Sequence, residues 1–397
     1  MHILMLLDHA YPPDQRVENE AESLVKNGLE VTVLSLAEDD RPEIEMVNGV
    51  RVHRFKLSNK IIKKLRGAVG FFDIYSHLFY RYAKKAYARK PFDAVHAHDL
   101  YLVKAGIMIK DKFKVPLVAD LHENYVEALS QYAWSTRPPG KWLISLERWK
   151  KLEKKWLKKS DRIISVIAEM KDRYTGMGFG EHKVLVIPNT PNIQAFREFP
   201  IKQDIITKYE NRKILLYSGG FDLHRGLETA VRAMKFVKDE HPDALLLLVG
   251  DGRNRSELEA LTDEHALRDF VIFEGWQDQS NIRSYVKSAT VGLIPHVRSV
   301  QTDASIPHKL GYYMSEELPV ISSNCTSLER MVTEHDAGKI FESENDRDLA
   351  KQINYLLSNP DEAKILAENG RRAVEKEFNW EATVEPLLSY YKSLASN

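Results

Sequence analysis

Three short stretches in the second half of the chain have the residue types to grip an anion. The turn Gly219-Gly220-Phe221-Asp222-Leu223-His224-Arg225-Gly226 joins an apolar run to a helical pattern. A helix N-terminus presents free N–H groups and partial positive charge, which suits phosphate. Glycine lets the backbone come close to a ligand, and Arg225 adds a side chain able to clamp a pyrophosphate oxygen. A plain turn with a surface arginine is the alternative. Gly250-Asp251-Gly252-Arg253 ends the next apolar run and reads equally as a second wall of the same site or as a tight turn. In the stretch from Thr302 to Met314, Pro307 suits the first turn of a helix. Lys309 beside it opposes the helix dipole unless an anion is bound there; a solvated lysine on a surface helix is the alternative.

The first half offers histidines beside acids. His96-Ala97-His98-Asp99 ends one apolar run and Asp120-Leu121-His122-Glu123 ends the next. A lone histidine is usually structural, but two such pairs at the ends of successive strands point to one edge. His122 there is placed to hydrogen-bond a ligand hydroxyl or to shuttle a proton near neutral pH.

Alternating strands and helices must position these residues. The chain opens with a strand over Ile3 to Leu7, a helix from about Val17 to Lys26 stopped by Asn27-Gly28, and a strand over Glu30 to Leu36. Further strands are expected at Ala94 to Ala97, Leu117 to Ala119, Arg162 to Val166 and Val184 to Ile187. The second half repeats the theme with strands at Lys213 to Tyr217, Ala244 to Val249, Val271 to Phe273, Val291 to Ile294 and Val320 to Ser322, and a helix from Gly226 to Val237. Such alternation predicts parallel sheets covered by helices. Ligands bind such sheets at the carboxyl ends of the strands. Pro188, Pro191 and Pro200 mark a linker between the halves.

Composition narrows the function classes. At 397 residues the chain is too long for one core. Lys+Arg and Asp+Glu are both 57, so a dedicated nucleic-acid partner is not expected. The single cysteine, Cys325, cannot close a disulfide within the chain, and no Cys/His cluster predicts a zinc site. The apolar start is too short for a signal peptide and no run is long enough to span a bilayer. A cytoplasmic location, with the inner membrane face as one place within it, is the expectation.

Taken together these motifs resemble the retaining glycosyltransferases of the GT-B fold, in the group 1 family also called family 4. The resemblance runs over nearly the whole chain. It rests on Gly219-Gly220 with Arg225-Gly226-Leu227, on Leu248-Val249-Gly250-Asp251-Gly252, and on Lys309 with Tyr313-Met314 and Leu318-Pro319-Val320-Ile321. The first half adds Tyr11-Pro12-Pro13-Asp14, Arg16-Val17-Glu18, His96-Ala97-His98, Asp120-Leu121-His122-Glu123, Ser160-Asp161-Arg162-Ile163-Ile164 and Ile187-Pro188-Asn189. The resemblance implies two Rossmann-like α/β domains facing across a cleft: an acceptor domain over 1–195, a donor domain over 196–378, and a final helix over 379–397 crossing back. It implies a nucleotide-sugar donor, UDP- or GDP-linked, with no separate cofactor or metal. Gly219, Gly220, Arg225, Gly226, Gly250, Asp251, Gly252, Lys309, Leu310 and Tyr312 fall on the donor side; Tyr11, Asp14, Arg16, His98 and Glu123 fall on the acceptor side. His122, Arg225 and Lys309 are the expected catalytic residues, His122 lying near the donor sugar.

The chain departs from the family pattern in two places. Gly219-Gly220 stands where the family usually has Gly-Arg, so one phosphate-binding arginine is missing and Lys309 is the available replacement. The family also carries two glutamates eight positions apart; here Ala304 and Tyr312 hold those positions, with Asp303 one residue off. The Tyr312 hydroxyl or Glu316 could take over the ribose contact. The loss leaves open a non-catalytic partner that binds a nucleotide sugar, and a sugar-nucleotide epimerase on a similar fold is a further alternative.

Two stretches bear on the acceptor. Lys60 to Lys90 mixes Lys63, Lys64, Arg66, Lys84 and Lys85 with Phe71, Phe72, Tyr75, Phe79, Tyr80 and Tyr82. Trp142, Trp149 and Trp156 recur every seven residues among lysines, which puts them on one helix face. A basic, aromatic helix can lie on an anionic membrane, where a lipid-linked sugar would be met; tryptophans facing a core are the alternative.

Overall fold

A computed structural model describes residues 1–37, 40–57, 73–122, 124–129 and 145–395. The chain divides into two compact units, one of residues 1–188 with 384–397 and one of residues 189–383. The boundary falls seven residues before the expected 195/196 break, at the first proline of the linker, and the closing helix Trp380–Ala395 starts in the second unit and ends in the first.

The first unit is built on an eight-stranded sheet. Its strands are β1 (His2–Leu6), β2 (Glu30–Ala37), β3 (Ile44–Val47), β4 (Val50–Lys56), β5 (Ala94–His98), β6 (Leu117–Leu121), β7 (Arg162–Ser165) and β8 (Val184–Val186). They lie in the order β3-β4-β2-β1-β5-β6-β7-β8, all parallel except the β3–β4 pair. Central strands such as β1 and β6 are buried along their whole length, as helix cover on both faces requires. The expected helix after β1 spans Gln15–Lys26, and Asp14 caps it by accepting a hydrogen bond from the Val17 amide at 2.9 Å. The β3–β4 hairpin was not read from the sequence. Its signal was Asn48-Gly49, both at positive φ (48° and 82°), the dipeptide that closes two-residue hairpins.

The second unit carries six parallel strands: β9 (Lys213–Ser218), β10 (Ala244–Val249), β11 (Val271–Gly275), β12 (Val291–Ile294), β13 (Val320–Ser323) and β14 (Gly338–Phe341). Their order is β11-β10-β9-β12-β13-β14. Only β14, with two polar-flanked apolar residues, went unread.

The helix Leu146–Lys159 decides between the two readings of its tryptophans in favour of a core-facing one. Trp149 and Trp156 are 2% and 4% exposed and meet edge to face at 5.9 Å. They pack inward and are not presented to a membrane. The outer face is basic instead, with Arg148, Lys150, Lys151, Lys154, Lys155, Lys158 and Lys159 all exposed. Trp142 and the segment with Lys63, Lys64, Arg66, Phe71 and Phe72 lie outside the described residues. Tyr75 and Phe79, from the same aromatic stretch, are fully buried in the first unit.

Candidate functional site

Strand order locates the crevice in each sheet. In the second unit the chain winds outward from β9 through β10 to β11, then restarts at β12 on the other side. The switch point is therefore the gap between β9 and β12, where open α/β sheets bind ligands. Gly219 follows β9 there, and Pro295-His296 follows β12.

Glycines let the loops at this edge interlock. A Cβ on Gly226, which sits at φ 65°, would lie 1.9 Å from the Pro295 carbonyl oxygen, and one on Gly250 would lie 2.0 Å from that of Gly219. Main-chain bonds complete the stitching: Val297 N–H donates to His224 at 3.0 Å and Phe221 N–H to Asp251 at 2.9 Å. Gly252 is pressed against the Phe221 backbone in the same way. So Gly226, Gly250 and Gly252 are needed for loop packing whether or not they also meet a ligand. Asp251 is exposed and paired with Arg255 at 3.0 Å.

Three cationic or basic side chains converge on this crevice. Arg225 Nη1 donates to His296 Nε2 at 3.1 Å. Lys309 Nζ lies 3.4 Å from the centroid of the Tyr217 ring and 3.0 Å from where a Cβ on Gly219 would sit. Lys309 and His296 are 8% and 1% exposed. Arg225 Nε, His296 Nδ1 and Lys309 Nζ are buried nitrogens with no hydrogen-bond partner. Burial, and then the neighbouring Arg225 charge, hold the Lys309 amine well below its usual range. Burial and the charges of Lys309 and Arg225 depress the His296 imidazole likewise. Lys309 is thus no solvated surface lysine.

Other expected donor-side residues have different work. Leu310 is fully buried in the apolar core, so its side chain is not available to a ligand. Tyr312 stacks on Phe196 at 4.2 Å. Glu316 is 7% exposed and locked between Arg283 and Lys287, both at 2.8 Å, so it does not replace the missing ribose-binding glutamate. Asp303 is also engaged, with the Thr326 amide at 2.7 Å and Arg298 at 3.3 Å.

The first unit switches direction between β1 and β5. Asp8 and His9 follow β1; His98 and Asp99 end and follow β5. Beneath this edge lies a buried ionic nest. Arg16 donates to Asp120 at 3.1 Å and to the Ile187 carbonyl at 3.0 Å, and pairs with Glu20 at 3.0 Å. His96 Nε2 lies 3.4 Å from Asp120 and 3.6 Å from Glu20, and its Nδ1 is hydrogen-bonded to the Tyr391 hydroxyl at 3.0 Å. Glu20, His96, His98 and Asp120 bring one ligand-type atom each within 4.8 Å of one another. By distance such a group could hold a metal ion, but the Arg16 guanidinium already supplies the countercharge. Arg16, at 5% exposure, and His98, at 0%, are buried within this nest. Tyr11 is likewise fully buried. Asp14 caps its helix and bonds His9 at 2.5 Å. Glu123 lies outside the described residues.

His122 is the member of this nest that reaches solvent, its side chain 19% exposed. Its Nε2 is 3.3 Å from Asp120 and 3.1 Å from His98 Nδ1. Burial lowers its pKa, but the charges of Asp120 and Asp99 outweigh that and bring it to about 9. It is an imidazolium at neutral pH, which favours hydrogen-bond donation over the proton shuttle the sequence also allowed. His98, buried beside His96, is pushed down to about 3 and stays neutral. Sequence reading missed His296, although it stands two residues past the end of an expected strand. It lacks the glycine that drew attention to the other loops.

The family models agree with this geometry. "Glycosyl transferases group 1" matches residues 198–373 and "Glycosyltransferase Family 4" matches residues 15–194. An uncharacterised glycosyltransferase of Methanocaldococcus jannaschii is 23% identical, with 94% of this chain and 92% of that protein covered. A glycogen synthase of Mycobacterium tuberculosis is 24% identical over 98% and 94%. Among solved structures, sucrose-phosphate synthase of Thermosynechococcus elongatus superposes with a TM-score of 0.77 at 21% identity, covering all of both chains. HepE of Anabaena in complex with UDP superposes at 0.75 with 14% identity, covering 99% and 100%. With two parallel-sheet α/β domains of the GT-B type and family matches across both halves, the chain belongs to the group 1 glycosyltransferases.

Proposed function

We propose that this glycosyltransferase takes a hexose from a nucleoside diphosphate donor held by its second unit and passes it, with retention, to a glycan acceptor that is lipid-linked or part of a polysaccharide. The observation that carries the donor reading is the cluster of Arg225, His296 and Lys309 at the switch point between β9 and β12. When the bond from sugar to diphosphate breaks, negative charge grows on the leaving diphosphate. Preorganised cations and N–H groups stabilise that charge without a strong acid. The acceptor oxygen forms the new glycosidic bond, and its proton leaves to the diphosphate. His122, protonated and partly exposed, is suited to donate to a sugar hydroxyl.

UDP bound to HepE favours uridine over guanosine as the base. The family resemblance is what supports retention. The basic face of Leu146–Lys159 suits contact with anionic headgroups, a surface contact without tryptophan insertion; no helix among the described residues is long and apolar enough to cross a membrane.

A thermal-shift screen with UDP, GDP and ADP, repeated on Arg225→Ala, tests the reading. A ligand that binds only the folded state raises the midpoint. A rise with one base that disappears in the variant supports the donor site; no rise with any of the three removes it. Binding without turnover of any nucleotide hexose would instead favour the non-catalytic partner, which the missing glutamate pair keeps in view.

A further inference from the structure

We propose that His296 is a third ligand of the donor diphosphate, its Nδ1–H donating to a phosphate oxygen that Arg225 and Lys309 also hold. The proposal rests on the donor reading above and extends it to a residue that the resemblance does not supply.

The tautomer follows from the contact. Arginine has only donors, so in the Arg225–His296 bond of 3.1 Å the His296 Nε2 accepts. A neutral ring then carries its proton on Nδ1. That N–H is buried and finds no acceptor in the protein. Arg225 Nε and Lys309 Nζ are in the same condition. The three orphans are all nitrogens able to donate; two lie in the loops after β9 and β12 and the third on the helix His308–Ser315. Leaving buried donors unmade is costly, and the ligand that satisfies them must be rich in acceptors and poor in donors. A diphosphate fits; a neutral sugar or a cation does not.

The charged and titratable groups facing Lys309 are Arg225 and His224 from the loop after β9, His296 from the loop after β12, and the Tyr217 ring at the end of β9. Asp222 is the acid of this loop, and it acts on His224 and Tyr217 rather than on Lys309. An ammonium on the Tyr217 ring face gains some cation–π attraction, but isolated burial still disfavours the charge. The arriving diphosphate supplies the missing counterion, so binding draws a proton onto Lys309. His296 adds a donor without adding a repelling charge, because its shared bond with Arg225 keeps it neutral.

The test is isothermal titration calorimetry of the full chain with UDP, inorganic pyrophosphate and uridine, in two buffers of different ionisation enthalpy. Wild type is compared with His296→Phe and His296→Gln, whose folding is checked by thermal midpoint. Loss of the ring N–H in His296→Phe is expected to weaken UDP and pyrophosphate about 10- to 100-fold and to leave uridine unchanged. His296→Gln, which keeps an acceptor and a donor, recovers part of the loss, and wild type takes up protons on binding UDP. Unaltered affinity for UDP and pyrophosphate in a folded His296→Phe overturns the role of His296. Failure of wild type itself to bind UDP or pyrophosphate overturns the donor reading instead, and this inference with it. Weakening of uridine to the same extent as pyrophosphate points to a general packing role and also overturns the proposal.

Discussion

The two units bury charge in opposite ways. In the first, Arg16, Glu20, Asp120, His96 and His122 mix acids with bases, so nearly every charge has a partner within the protein. In the second, Arg225, His296 and Lys309 are basic groups, and among the described residues no carboxylate is paired with them. The first nest balances acids against bases within the protein, although Arg16 Nε, both Glu20 oxygens, His96 Nε2 and His98 Nε2 make no hydrogen bond. The second is incomplete until an anion arrives. Desolvated charge holds a fold together where it is balanced, and it binds a ligand where it is not.

Substitutions can break this contrast. The largest effect is expected from Asp120→Ala, which removes the carboxylate shared by Arg16, His96 and His122 and leaves Arg16 with Glu20 as its remaining acid. Removing one partner of a buried pair costs about 3–5 kcal/mol, seen as a much lower thermal or urea midpoint. Arg225→Ala is expected to leave the midpoint nearly unchanged while turnover with the nucleotide hexose falls about 10²–10³-fold. A loss of stability as large as that of Asp120→Ala would show that the second cluster is structural as well.

Alkaline pH sharpens the comparison. His122 has its folded pKa raised from 6.5 to about 9. Its contribution to stability is therefore full below about pH 6.5 and is lost as pH rises through about 9, worth on the order of 3 kcal/mol. His9, raised to about 10 mainly by Asp14 against the effect of burial, adds a smaller screened share in the same direction. Urea titrations between pH 6 and 10 should show the decline, and His122→Gln should flatten it. The smallest expected effect is a gain: Lys309→Met removes an unpaired buried amine and should raise stability by about 1 kcal/mol, while abolishing the response to UDP in a thermal shift. A midpoint that falls by as much in Lys309→Met would mean that the lysine is already paired in the free protein.

Much of the scaffold was legible because parallel strands buried on both faces read as short apolar runs. β1, β9 and β10 were placed within a residue or two of their observed ends. The β3–β4 hairpin escaped because its residues Ile44 to Val47 alternate in exposure and mix acid with apolar types. The phosphate-suited loops were legible through their glycines, whose tight packing the structure explains. Pairings across the sheet were not legible. Nothing local in the sequence shows that Glu316 faces Arg283 and Lys287, that Tyr312 stacks on Phe196, or that His296 meets Arg225, 71 positions away. Tryptophans on one helix face announced an amphipathic helix, but the face they occupy is the same for a core and for a membrane. Only the neighbours Tyr125 and Trp156, packed on Trp149, decide it.

The hydrogen bond from Tyr391 to His96 spans 295 positions of chain. A ribosome that has released residues 1–188 has therefore made the first sheet without the helix that closes its buried nest. Completion of that nest waits for residues 189–383 to be synthesised, because the Tyr391 hydroxyl reaches His96 only once the closing helix exists.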